Sequence, residues 1–289
     1  MKNAGLFFRQ SLVQFYQMMS EFFLAWNFRP TVLFGVGLGL ALYSIGWVRL
    51  RRRGANRLAS IWRLIAYWLG MAVLFISLTS GLDIYGEFLL LVHMSQHLLL
   101  MGVAPLLIMA GNPFPFVLWG LPFRSNRWAV GVFGAKSELR ELLKRIASPG
   151  VVGFIYIVIT VGWHDPGLYQ RAIAVDWVHD LEHLSFYLGA ALLYWQVLGA
   201  GPQWVKRPNL WLLIVLLVIT NAASMAVGVA ITLASEPIYT HYANMPRIWG
   251  LSVMDDQNIA GLLMWLPGGI PNTIAGIWLL WKYFRGSGR

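Results

Sequence analysis

Long runs of apolar residues almost free of charge leave this chain one environment in which to fold. Segments 30–48, 61–80, 87–110, 150–163, 177–198, 209–233 and 258–283 read as seven membrane spans. A bilayer core about 30 Å thick is crossed by about 20 helical residues. Lipid offers no hydrogen-bonding partner to the backbone, so a span of this kind is a helix whose N–H and C=O groups pair with each other. Only 12% of the 289 residues are charged, against about 25% in soluble domains. The 15 Trp and 11 Tyr suit the aromatic belts of a bilayer interface. The expected fold is all-α and polytopic: an amphipathic N-terminal segment, 1–29, followed by a single seven-helix domain, 30–289. The fourth span is the shortest and is expected to begin within the basic segment before it.

The Lys/Arg distribution sets an orientation. Seventeen basic residues fall in the loops after spans 1, 3 and 5, at the start of span 2 and at the C-terminus; five (Lys2, Arg9, Arg29, Arg171, Arg247) fall on the other side. The majority side is expected to be cytoplasmic, which puts the N-terminus outside and the C-terminus inside. The net charge of +10 is then a topogenic signal and calls for no nucleic-acid partner. The N-terminus lacks the short apolar core and cleavage site of a signal peptide and is expected to be retained. Residues 5–24 read as an amphipathic piece, either lying on the outer interface or extending the first span outward. Residues 136–146 read as a short charged helix on the inner face, a solvated element or a docking surface.

With that topology all six histidines lie on the outer side, and four form two HxxxH pairs, His93/His97 and His179/His183. Residues four apart share one helix face, so two such faces meeting in a bundle would gather four imidazoles. Ionisable residues in spans are costly and usually mark function. His97 is the deepest, about 15 Å from the outer helix end at 1.5 Å per residue. His164, in the turn Trp163-His164-Asp165-Pro166-Gly167, is expected at the water boundary as an entrance ligand. The chain has no cysteine, which excludes disulfides and thiolate sites. Imidazoles suit Cu, Zn, Fe or Ni, and thioethers from Met94, Met101, Met254 or Met264 would bias the site toward Cu(I). Glu182 reads as an acceptor orienting an imidazole. Asp255 and Asp256 read as a cap and first-turn charge for the seventh span, or as a cation attractor.

Each of these features has a plainer reading. A lone buried histidine is often a packing residue, and methionine is ordinary core filler. The Pro267-Gly268-Gly269 break in the seventh span either lines a cavity or is a simple packing kink; Pro105 is expected to kink the third span. Neither pair is HExxH, so a zinc protease is not indicated.

Several blocks resemble the CtaG-like assembly factors of caa-type cytochrome c oxidases. They are His93-Met-Ser-Gln-His97 with Ala104-Pro105 and Gly111-Asn112-Pro113, Trp163-His164-Asp-Pro166 with Leu168-Tyr169, His179-Asp-Leu-Glu182-His183 with Phe186, Asp256-Gln257, and Gly261 to Gly268. The resemblance implies a multi-pass protein of the bacterial cytoplasmic (inner) membrane. It further implies a non-enzymatic role in making active haem–copper oxidase, with oxidase subunits as partners and a plausible part in copper supply. An outer-side copper chaperone is a further candidate partner. Residue chemistry leaves zinc and haem b open beside copper, since facing histidines also hold haem axially, and leaves open a metal-free scaffold or a transporter.

Overall fold

The computed structural model describes residues 19–122, 131, 134, 137–201 and 207–287. Most of the 5–24 segment, together with Arg124, Arg127, Lys136 and Lys206, lies outside them. Among the described residues every regular element is a helix. In chain order they are α1 (Pro30–Arg52), α2 (Ile61–Thr79), α3 (Gly81–Tyr85), α4 (Leu90–Leu98), a π-helical turn (Leu99–Val103), α5 (Ala104–Ala110) and α6 (Pro113–Gly120). There follow α7 (Glu138–Ile146), α8 (Pro149–Trp163), α9 (Pro166–Ala174), α10 (Asp176–Leu198), α11 (Leu210–Leu233), α12 (Thr240–Ala243), α13 (Val253–Trp265) and α14 (Ile270–Ser287). A 3-10 turn at Pro267–Gly269 joins α13 to α14.

Among the described residues, five helical stretches are long and apolar enough to cross a membrane: α1, α2, Leu90–Ala110, α11 and Val253–Arg285. The count becomes six if α7 and α8, bent by 69° at their junction, form one broken span. Seven were expected. Helix α10 has the length, 23 residues, but Asp176, His179, Asp180, Glu182, His183 and Gln196 dilute its apolar content. The residues that thin its hydropathy are largely those of the site described below. Large apolar side chains face outward on these helices, among them Phe34, Trp62, Phe154 and Leu233. In water so much exposed apolar surface would drive association; against acyl chains it is the preferred state.

Helix ends follow local chemistry. Ser80 accepts from the Leu82 N–H to start α3, Asp165 accepts from Gly167 and Leu168 to start α9, and Asn209 caps α11. The predicted turn at Pro166-Gly167 therefore opens a helix, because Asp165 is an N-cap and Pro sits at the first helical position. The expected kink at Pro105 takes another form. Pro105 has no N–H to offer the preceding turn, and the chain widens there into the π-helical turn 99–103.

Three apolar clusters organise the bundle. One joins α1, α2 and α6 around the stacked Tyr43 and Tyr67 rings, whose centroids are 3.8 Å apart. Another holds Val152, Tyr156, Phe186, Tyr194 and Leu217. The third gathers Leu90, Met94, Tyr169, Ile231, Tyr239, Tyr242 and Met264. His97 packs against Phe186 of the second and His93 against Tyr169 of the third.

Candidate metal centre

Helix α4 carries His93 and His97 on one face, one turn apart, with ring centroids 4.2 Å apart. Helix α10 carries His179 and His183 in the same way, at 4.1 Å. The two faces meet: His97 is 5.3 Å from His183 and His93 is 5.3 Å from His179. One donor atom each from His93, His97, Glu182 and His183 falls within 4.8 Å of the others, and all four residues are buried. The Glu182 carboxylate reaches the group from α10, with its Oε1 3.7 Å from His97 Nε2. Read as an orienting acceptor, Glu182 instead stands among the converging donors.

The remaining predicted residues take different places. His179 packs against His183 with its ring tilted by 54° and is not among the four converging donors. His164 lies on the far side of His97, with centroids 6.0 Å apart. Its Nδ1 pairs with the Thr160 carbonyl at 2.6 Å, and its Nε2 is buried without a partner. It is only 7% exposed, so the expected position at the water boundary is corrected. Tyr239 donates to its carbonyl and Phe186 packs against its ring, which together close it off from solvent. His241 stands apart, its Nε2 against the Glu87 carbonyl.

Met94 packs in the apolar cluster beside the site. Met101 and Met264 line a narrow cavity of about 20 Å³ that adjoins His97 and is also faced by Tyr156, Tyr194, Ser224 and Asn272. That volume admits about one water. Ser252 is the N-cap of α13, accepting the Asp255 N–H and donating its hydroxyl to the Asp255 carboxylate, which stands as a first-turn charge. Asp256 does something the sequence did not suggest: its two oxygens accept the N–H groups of Leu90 and Leu91 at 3.0 and 2.9 Å. It caps α4, the helix that carries His93 and His97, and takes no part in the donor group.

Further side chains hold the walls, in roles that nothing in the local sequence marks. Tyr169, 5.3 Å from His93, donates to Tyr242, which donates to the Gly86 carbonyl. Gln96 donates to the Ser77 carbonyl and to Asp83, tying α4 to α2 and α3. Gln257 bonds Ile238 and Glu236, anchoring the loop after α11. Tyr169 and Gln257 lie inside the family-like blocks, but only spatial neighbours reveal their bonds.

The donor atoms themselves lack partners. His93 Nε2, both ring nitrogens of His97 and His183, and both Glu182 oxygens are buried without a hydrogen bond. Buried polar groups are normally satisfied, and each exception calls for an explanation. A cation between these atoms is one: imidazole nitrogens and a carboxylate oxygen are donors that transition metals accept.

A family model for the cytochrome c oxidase caa3 assembly factor matches residues 41–286. The chain belongs to that family. The match runs from the middle of α1 to the end of α14 and includes every residue of the donor group. Similar to it as well are an uncharacterised Mycobacterium leprae protein, 24% identical over 92% of this chain, and an uncharacterised Mycobacterium tuberculosis protein, 27% identical over 90%. The chain spans about two fifths of the length of these relatives, 40% and 39%. No solved structure matches it significantly. As a member of the caa3 assembly factor family, the chain places the family-like blocks around one buried point: His93 and His97 from α4, Glu182 and His183 from α10, and the Asp256 cap from α13.

Proposed function

We propose that this protein serves the assembly of a haem–copper cytochrome c oxidase by holding copper as cargo at His93, His97, Glu182 and His183. The observation that carries the reading is the convergence of four buried donors: the ring nitrogens of His97 and His183, the Glu182 oxygens and His93 Nε2 make no hydrogen bond. An unpaired buried carboxylate costs several kcal/mol unless a cation meets it, and copper would supply that charge. Family membership supplies the oxidase. The donors converge on a point rather than flank a plane, which favours an ion over a haem. Met101 and Met264, in the cavity next to His97, offer the soft donors that suit Cu(I). His164 Nε2 and His179 Nε2, both buried and unpartnered, extend the donor set to either side and suit handing an ion into or out of the group.

The reading includes a seven-span topology, with α10 and the α7–α8 pair both crossing and the histidine end facing outward. It also places the protein in the bacterial inner membrane, with oxidase subunits and an outer-side copper chaperone as partners. The test is elemental analysis and an absorption spectrum of purified protein loaded with Cu(I). One copper per chain is expected, lost in the His97→Ala/His183→Ala double variant. Stoichiometric copper in that variant sinks the assignment, and a Soret band in the purified wild type would favour haem.

A further inference from the structure

The end of the bundle opposite the histidines holds a second built feature. Arg63 from the first turn of α2 and Lys282 from α14 face a recess of about 320 Å³, walled by Leu106, Leu107, Ile274 and Trp278. An adjoining recess of about 190 Å³ shares Lys282 and adds Arg207, Leu213 and Tyr283. Gly199 lines the first. The Arg207 guanidinium lies against that glycine so closely that a Cβ there would stand 3.1 Å from its Cζ. Three cations from three parts of the chain thus share one cleft.

Among the described residues, none of the ion pairs includes Arg63, Arg207 or Lys282. Arg63 donates to the Leu58 carbonyl, and the Lys282 ammonium rests over the Trp278 ring, 4.8 Å from its centroid. Neither contact offsets the charge. Cations gathered without a counter-charge repel one another unless an anion occupies the space between them. The cleft also has a definite depth: Arg63 opens an apolar helix and Lys282 lies near the end of one, with Trp278 beside it, the level at which bilayer headgroups sit. Its deeper walls are aliphatic, and Ile274 and Ile277 continue the surface outward along α14, both exposed. A small soluble anion would leave that apolar wall unused.

We propose that this cleft binds an anionic phospholipid, its phosphate between Arg63, Arg207 and Lys282 and its acyl chains along Leu106, Leu107 and Ile274. Basic pockets between membrane helices take anionic headgroups by this chemistry. The site is separate from the histidine group and does not depend on whether copper binds there.

The experiment is native mass spectrometry of the full chain purified in a mild detergent and titrated with phosphatidylglycerol or phosphatidylcholine. One phosphatidylglycerol is expected to be retained in preference. Removal of two cations in Arg63→Gln/Lys282→Gln should weaken that binding by about 30-fold. Arg285→Gln, whose guanidinium lies over Trp281 away from the cleft, should leave it unchanged. If the double variant does not remain monodisperse, Arg207→Gln alone should show a several-fold loss. Equal retention of phosphatidylcholine, equal loss in Arg285→Gln, no loss in Arg207→Gln, or displacement of the lipid by millimolar inorganic phosphate would each overturn the proposal.

Discussion

Glu182 is the residue on which the chemistry of the centre turns. It is wholly buried, has no hydrogen-bond partner, and stands among three imidazoles. A carboxylate kept in that position without a cation opposes folding, so its presence sets stability against binding. Glu182→Gln should therefore weaken copper binding by at least about 10-fold, the loss that removing even an orienting partner brings, while raising the midpoint of thermal unfolding of the metal-free protein. A competition titration with a Cu(I) chelator and a scanning fluorimetry trace check the two halves; a lowered midpoint would mean that the carboxylate supports the fold through contacts of its own. Asp256 is the contrasting case, a carboxylate whose two oxygens both satisfy helix N–H groups. Asp256→Ala should cost about 0.5–2 kcal/mol, measured by denaturation in detergent, and Asp256→Asn should recover part of it.

Among the elements, the way α4 is held decides the site. Its first turn is capped from α13, its flank is tied to α2 and α3 through Gln96, and its far end passes through the π-helical turn before α5. Helix α13 is positioned in turn by its close crossing with α11. A Cβ on Gly261 would lie 2.6 Å from the Gly228 carbonyl oxygen and 2.3 Å from Thr232 Oγ1. Gly261→Ala should push α13 from α11 and carry the Asp256 cap with it, at a cost of about 1–3 kcal/mol. It should also lower copper affinity, although residue 261 is not among the donors. Affinity unchanged in a destabilised Gly261→Ala protein would show that the cap and the donors move independently. The paired HxxxH spacing made each half of the site legible, since a four-residue interval fixes a shared helix face. It set Glu182 beside His183 as an orienting acceptor, but its place among the donors depends on how α10 is rotated against α4.

For the molecule as a whole, the absence of cysteine makes sidedness directly measurable. Asn244→Cys lies in the exposed loop near the histidine end and Asn56→Cys in the exposed loop at the opposite end. In intact cells a membrane-impermeant maleimide should label the first and spare the second until the membrane is opened. The reverse pattern would invert the topology read from the basic residues. Helical class, the approximate extent of most apolar helices, the two histidine pairs and the family-like blocks were all legible in the chain alone. Each rests on local periodicity, hydropathy or spacing, and these survive without knowledge of neighbours. Other features came only from tertiary structure: the burial of His164 beneath Phe186 and Tyr239, the capping of α4 by a residue some 166 positions away, and the grouping of Glu182 with three histidines. So did the gathering of Arg63, Arg207 and Lys282 in one cleft. Their common physical reason is that burial and convergence depend on which helix faces meet, and packing between helices distant in sequence settles that question.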